Sequence, residues 1–364
     1  MEMLSPTTAR VKGIVDNQQF PSIITGERGF HGSGEGWIVT GLPTTDCLLV
    51  AVTTPVTAGY RPDSQLLSAR CKTLMAAGAD GVTLFGTTGE GAEFAAEDRQ
   101  AALERVIASG LDPARIIVSI GALSIPDIVR LARHALDRNV AGLLLMPPCV
   151  YRGGITEDGT FRFYSAVIDQ AERPEMRLHL YHFPDISGVP VTPVVIRRLE
   201  ERYPGAIAGV KDSGGDLDFT EGLLRRFSHL SIYTGSEIHL PQVMASGGRG
   251  TICGLGNVMP RLMRGLFDAR TPFERRRLVP SLLAGDNILS RFPFIASVKA
   301  LIADATSEPA WRRVLPPMAA LPLLEEGRMI ADFRRWEESL PSPLRSLYPA
   351  EEEQESRIVA LRRG

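Results

Sequence analysis

Between residues 46 and 270, short apolar runs alternate with longer amphipathic segments in a beat repeated eight times. No other feature restricts the folds open to this chain as strongly. The runs are Cys47–Val52, Gly81–Phe85, Ile116–Ile120, Ala141–Met146, Leu178–Tyr181, Ile207–Lys211, Leu230–Tyr233 and Gly250–Cys253. Each has the length and bounding residues of a strand. Helical patterns fall between and after them, at Ser64–Ala77, Ala95–Ser109 and near 126–138, 160–171, 192–203, 217–228, 237–246 and 258–268. Glu97 and Asp98 suit the start of the second of these, where a helix dipole favours acidic groups. Eight strand–helix units predict an α/β fold, a closed (β/α)8 TIM barrel rather than an open doubly wound sheet. The glycine-rich dinucleotide turn that an open sheet would carry after its first strand is replaced by Val52-Thr53-Thr54-Pro55.

Residues 1–45 lack periodicity and read as an N-terminal extension. Residues 271–340 read as an additional C-terminal helical region, with patterns at Phe273–Ile288, Pro293–Ala305 and Ala319–Leu340. Residues 341–364, rich in proline and charge, read as a solvated tail. The formal net charge of −2 creates no field that would gather nucleic acid or acidic lipid. No segment approaches the roughly 18–20 apolar residues of a membrane span, and the first forty residues show no secretory pattern. Cys47, Cys71, Cys149 and Cys253 form no CxxC pair, which suits a reducing cytoplasm and argues against a disulfide framework. The six histidines show no HxxxH or HExxH spacing, so no metal is expected.

In a barrel of this kind the chemistry sits at the C-terminal ends of the strands. The second strand leads into Gly86-Thr87-Thr88-Gly89-Glu90-Gly91, the fifth ends in Tyr181-His182-Phe183-Pro184 and the sixth in Lys211. The seventh leads into Thr234-Gly235-Ser236-Glu237 and the eighth into Ile252-Cys253-Gly254. Lys211 is one of four lysines among 40 Lys and Arg residues, and it closes the apolar run from Ala206. Arginine stays protonated in proteins, whereas a lysine taken out of water can lose its proton and become a nucleophile. Thr87 and Thr88 offer two hydroxyls and free N–H groups, a cradle for a carboxylate. Strand alternation puts Tyr181 on the same face as His179 and turns His182 and Asp212 the other way. Taken singly, a rim tyrosine is a core cap and Glu90 a structural residue of a tight turn.

Together these residues resemble the pyruvate-dependent class I aldolase family that contains dihydrodipicolinate synthase and N-acetylneuraminate lyase. The motifs are GTTGE after strand 2, Tyr-x-x-Pro at strand 5, Gly-x-Lys-Asp at strand 6, and GSE followed by GGRGTICGLGNVMP, over roughly residues 46–330. The resemblance implies that Lys211 forms a Schiff base and that Tyr181 shuttles protons. It implies that Thr87 and Thr88 bind a carboxylate and that Gly235 and Ile252 line a keto-acid pocket. It also implies a homo-oligomer, a dimer or a homotetramer built from tight dimers, and a lyase without cofactor acting on a small 2-keto acid with an aldehyde partner. Two departures bear on substrate. Pro148 and Cys149 stand where the synthases have a tyrosine pair, with Tyr151 nearby, and Ile186 stands where they have an arginine. The expected activity is therefore carbon–carbon cleavage or formation on pyruvate or another 2-keto acid, outside lysine biosynthesis. A sugar-acid dehydratase using the same imine and a non-catalytic keto-acid binder are the alternatives.

Overall fold

The computed structural model describes residues 46–150 and 153–348; the N-terminal extension, Tyr151 and the end of the tail lie outside them. Eight parallel strands close into a barrel in sequence order, β8 pairing back onto β1. They are β1 (Cys47–Ala51), β2 (Gly81–Leu84), β3 (Ile116–Ser119), β4 (Gly142–Leu145), β5 (Leu178–His182), β6 (Ile207–Asp212), β7 (Ser231–Thr234) and β8 (Gly250–Cys253). The (β/α)8 barrel expected from the eightfold beat is the fold observed.

The outer layer follows the helical patterns. It comprises α1 (Ser64–Ala76), α2 (Ala96–Ala108), α3 (Ile125–Asp137), α4 (Glu157–Ala171), a single turn α5 (Pro184–Ser187), α6 (Pro193–Arg202), α7 (Leu217–Arg226), α8 (Leu240–Ala245) and α9 (Pro260–Asp268). Many start on a side-chain cap: Asp63, Ser124, Thr156, Thr192 and Asp216 each accept a backbone N–H of the first turn. Three further helices, α10 (Pro272–Leu289), α11 (Phe294–Thr306) and α12 (Leu323–Glu338), follow the barrel. No helix among the described residues is long and apolar enough to cross a membrane.

The period-2 alternation of the strands divides the core in two. Leu49, Ile117, Leu144, Tyr181, Tyr233 and Ile252 point inward and form one cluster. Leu48, Val82, Val118, Leu143, Val210 and Ile232 point outward and pack with the helices. His179 also points inward, and glycines on both neighbouring strands make room for it. A methyl group at Gly142 would lie 2.9 Å from His179 Cε1, and one at Gly209 3.0 Å from Cδ2. Nδ1–H of His179 donates to the Leu143 carbonyl at 3.2 Å. Burial lowers its pKa to about 4, which keeps the ring neutral inside the barrel.

One buried ion pair ties the C-terminal helices to the barrel. Glu90, at φ 53° in the loop after β2, meets Lys299 of α11, and both side chains are fully buried. Lys299 Nζ also donates to the Arg313 carbonyl at 2.8 Å, and Leu315 N–H donates to Glu90 Oε2 at 2.7 Å. The carboxylate and the ammonium thus each bind the chain after α11, besides each other.

Two expectations need correction. The single helix read at 237–246 is a 3-10 turn, Glu237–His239, followed by α8. Pro241 in the first turn of α8 has no N–H to continue a helix begun earlier. The tail read as solvated from 341 is packed as far as 348. The buried Glu337 carboxylate accepts the N–H groups of Ser346, Leu347 and Tyr348 at 2.6, 3.0 and 2.7 Å. A carboxylate out of water must find donors, and this stretch of backbone supplies them.

Two measurements follow. The unfolded chain binds a proton at His179 near pH 6.5 that the folded chain refuses until about pH 4. Stability should therefore fall as pH drops through that window, by about 3 kcal/mol for this group. Burial also holds His182 below its ordinary value and adds to the trend. Urea denaturation from pH 7 to 4 should show the slope, and H179Q should flatten it. E90Q or K299M alone strands a buried charge and should cost roughly 3–5 kcal/mol, while the E90Q/K299M double variant should recover much of that loss.

Candidate active site

The last turn of the pleat in β6 separates two adjacent charged residues. Gly209 and Lys211 face the barrel interior, whereas Val210 and Asp212 face the helices. Asp212 Oδ1 accepts Gly214 N–H at 2.8 Å, and Oδ2 accepts the Thr220 hydroxyl at 2.6 Å. That carboxylate is satisfied in the outer layer and does not face the amine. His182 is turned outward as well: its Nδ1 accepts Val191 N–H at 3.1 Å, and its ring stacks on Phe219 at 4.3 Å.

Lys211 is 5% exposed, and the register sets it between Tyr181 and Tyr233 on the flanking strands. Its Nζ lies 4.3 Å from the centroid of the Tyr181 ring. The Tyr181 hydroxyl in turn stands 3.4 Å from Thr87 Oγ1. The threonine loop is held by its own turns. Gly89 and Gly91 N–H both donate to the Gly86 carbonyl, at 3.0 and 3.2 Å, and the Thr54 hydroxyl donates to the Gly89 carbonyl at 2.8 Å. Gly91 admits no side chain, because a methyl there would collide with the Phe85 carbonyl. Glu90 leaves this loop toward Lys299, in keeping with the structural reading of that residue.

These strand ends enclose a cavity of ≈460 Å³. All six residues singled out from the sequence line it: Thr87, Thr88, Tyr181, Lys211, Gly235 and Ile252. Gly235 has a steric reason to be glycine. A methyl there would collide with Ser213 Oγ and stand 3.1 Å from Lys211 Cε, so the lysine stem and the serine pass directly over its backbone. A larger hollow, ≈780 Å³, lies on the outer helical layer and is lined by Arg130, Arg133, Asp137 and Glu172. No strand-end residue reaches it, so size alone does not mark the chemistry.

Sequence reasoning missed several lining residues. Ser213 follows Lys211 by two positions on the same side of the chain, and strand alternation could have found it. Glu237 is half-buried; loss of water around its carboxyl pushes the pKa up, and its Oε1 accepts Gly254 and Leu255 N–H at 2.8 and 3.0 Å. It braces the β7 loop against the β8 loop. Pro293, Phe294, Ile295 and Met318 form a roof from the C-terminal region. Nothing local in the sequence marks them, since only folding brings them over the barrel.

The dihydrodipicolinate synthetase family model matches residues 45–279. An uncharacterized DapA-like lyase of Chloroflexus aurantiacus is 30% identical over 285 residues, covering 76% of this chain and 90% of that protein. A 4-hydroxy-tetrahydrodipicolinate synthase of Symbiobacterium thermophilum is 29% identical over 303 residues, covering 77% and 100%. The crystal structure of a dihydrodipicolinate synthase from Agrobacterium tumefaciens superposes with a TM-score of 0.72 at 30% identity, over 79% of this chain and 98% of that one. The match spans the barrel strands and every strand-end residue of the cavity, and the chain belongs to the dihydrodipicolinate synthetase family, as a lyase of the class I aldolase type.

Proposed function

We propose that Lys211 forms an imine with the ketone of pyruvate or a related 2-keto acid, and that the enzyme makes or breaks a carbon–carbon bond next to it. One observation carries this reading. A buried amine lies over the Tyr181 ring, whose hydroxyl reaches Thr87, inside a cavity of ≈460 Å³. The amine nitrogen attacks the keto carbon and its proton passes to the carbonyl oxygen; the resulting hydroxyl takes a second proton and leaves as water, giving the protonated imine. Tyr181, at the junction of amine and threonine, is the group placed to move those protons. Thr87 and Thr88 hold the substrate carboxylate, while Gly235 and Ile252 bound the keto-acid pocket. The protonated imine then accepts the electron pair of the breaking bond, so the step uses neither metal nor organic cofactor.

Ile186, half-exposed on the cavity wall, and Cys149, exposed beyond it, supply no hydrogen-bonding or charged group of the kind a dicarboxylic product would need. This favours a 2-keto-acid aldolase over a true dihydrodipicolinate synthase. A cytoplasmic homodimer or homotetramer is part of the same proposal.

Borohydride reduction with pyruvate should leave one keto acid covalently attached at Lys211, located by peptide mass. No adduct with any 2-keto acid would overturn the imine. K211R should abolish the adduct, and Y181F should lower kcat by about 10²–10⁴-fold while the protein stays folded. Product analysis separates aldol cleavage, which releases pyruvate, from dehydration, which leaves the carbon chain whole.

A further inference from the structure

The cavity that holds Lys211 has a neighbour. A second lobe of ≈190 Å³ adjoins the first, and the two share walls formed by Thr87, Tyr181 and Ile186. Its lining comes from the loops after β2, β3 and β4 and from α5, and includes the apolar residues Ala122, Leu123, Met146, Pro147, Pro148 and Ile186. Two carboxyl groups stand on the β2 side of it. Glu90 is engaged by Lys299, and Glu93 lies exposed at the rim. Among the described residues lining both lobes, Lys211 is the one cationic side chain.

Charge and size together decide what such a lobe can hold. A carboxylate entering it would lose water and meet no cationic side chain among the described residues that line it, which costs free energy. An apolar group would gain about 25 cal/mol for each Å² removed from water. A cavity of about 150 Å³ lined by aliphatic and aromatic side chains takes up benzene. A lobe of ≈190 Å³ therefore has room for a phenyl ring or a branched alkyl group of similar bulk.

We propose that this lobe is the subsite for the distal group of the aldehyde partner, and that this group is uncharged and apolar, an aryl or branched alkyl chain. The inference rests on the imine reading and adds to it the class of the second substrate. In the condensing direction, the electron pair of the enamine forms the new carbon–carbon bond to the aldehyde carbon. The aldehyde oxygen takes a proton and becomes a hydroxyl, and water then hydrolyses the imine to release the product. Tyr181 belongs to the wall shared by the lobes, so the proton is delivered where the aldehyde carbon would stand, with its side group lying beyond over Ile186.

The test has a turnover arm and a binding arm. With pyruvate as donor, kcat/KM for benzaldehyde should exceed that for succinic semialdehyde and for glyceraldehyde by at least about tenfold. I186R should reverse the order of benzaldehyde and succinic semialdehyde. L123D, at a position 71% exposed where the fold tolerates charge, should lower benzaldehyde turnover without raising that of succinic semialdehyde. A wild-type preference for the charged or the hydroxylated aldehyde would overturn the proposal, as would an order that neither variant moves. Calorimetric binding of benzyl alcohol against 4-hydroxybutanoate needs no imine. Tighter binding of the alcohol, weakened by L123D, supports the lobe, and equal or tighter binding of the acid sinks it. Borohydride trapping is read in parallel on each protein, so a missing adduct identifies failure of the imine reading separately.

Discussion

A strand presents successive side chains to opposite faces, and at the end of β6 this rule places an amine and a carboxylate in different environments. Lys211 enters the closed interior beside Tyr181, while Asp212 turns out to Gly214 and Thr220. A shift of one residue in register would exchange the two and put a carboxylate where the cavity holds the amine. The closed ladder fixes that register from both sides, through Tyr181↔Lys211 and Lys211↔Tyr233. Everything that the cavity can do chemically depends on this alternation being held.

The second organising contact is the buried pair of Glu90 and Lys299. It joins the loop that carries Thr87 and Thr88 to the helix whose first turn supplies Phe294 and Ile295 to the roof. Leu315 N–H and the Arg313 carbonyl add the chain leading to Met318. The threonine loop and the roof are thus braced by one charge pair removed from water, whose strength depends on both members being present.

Much of the barrel was legible in the chain because each strand is a short apolar run between turn residues, and each helix a longer pattern with its own cap. Leu178–Tyr181 and Gly250–Cys253 were placed to within a residue of β5 and β8. Where the reading slipped, a single residue or a buried partner was responsible. Pro241 broke the pattern at 237–246 into two elements. Residues 346–348 looked solvated because nothing in the chain marks the Glu337 carboxylate, in the last turn of the preceding helix α12, as buried and in need of their N–H groups. The six strand-end residues came together in one cavity because closure of a barrel brings all strand ends to one rim.

Sequence alone determined the number of strand–helix units, the residues at the strand ends and the chemical types available there. Those properties are local, since periodicity and turn chemistry act over a few residues. Tertiary structure alone decided that Lys299 neutralises Glu90, that Phe294 and Met318 roof the amine, and that a second, apolar lobe opens beyond Tyr181. Contacts of that kind join residues far apart in the chain, and they exist only after the backbone has closed and excluded water from the space between them.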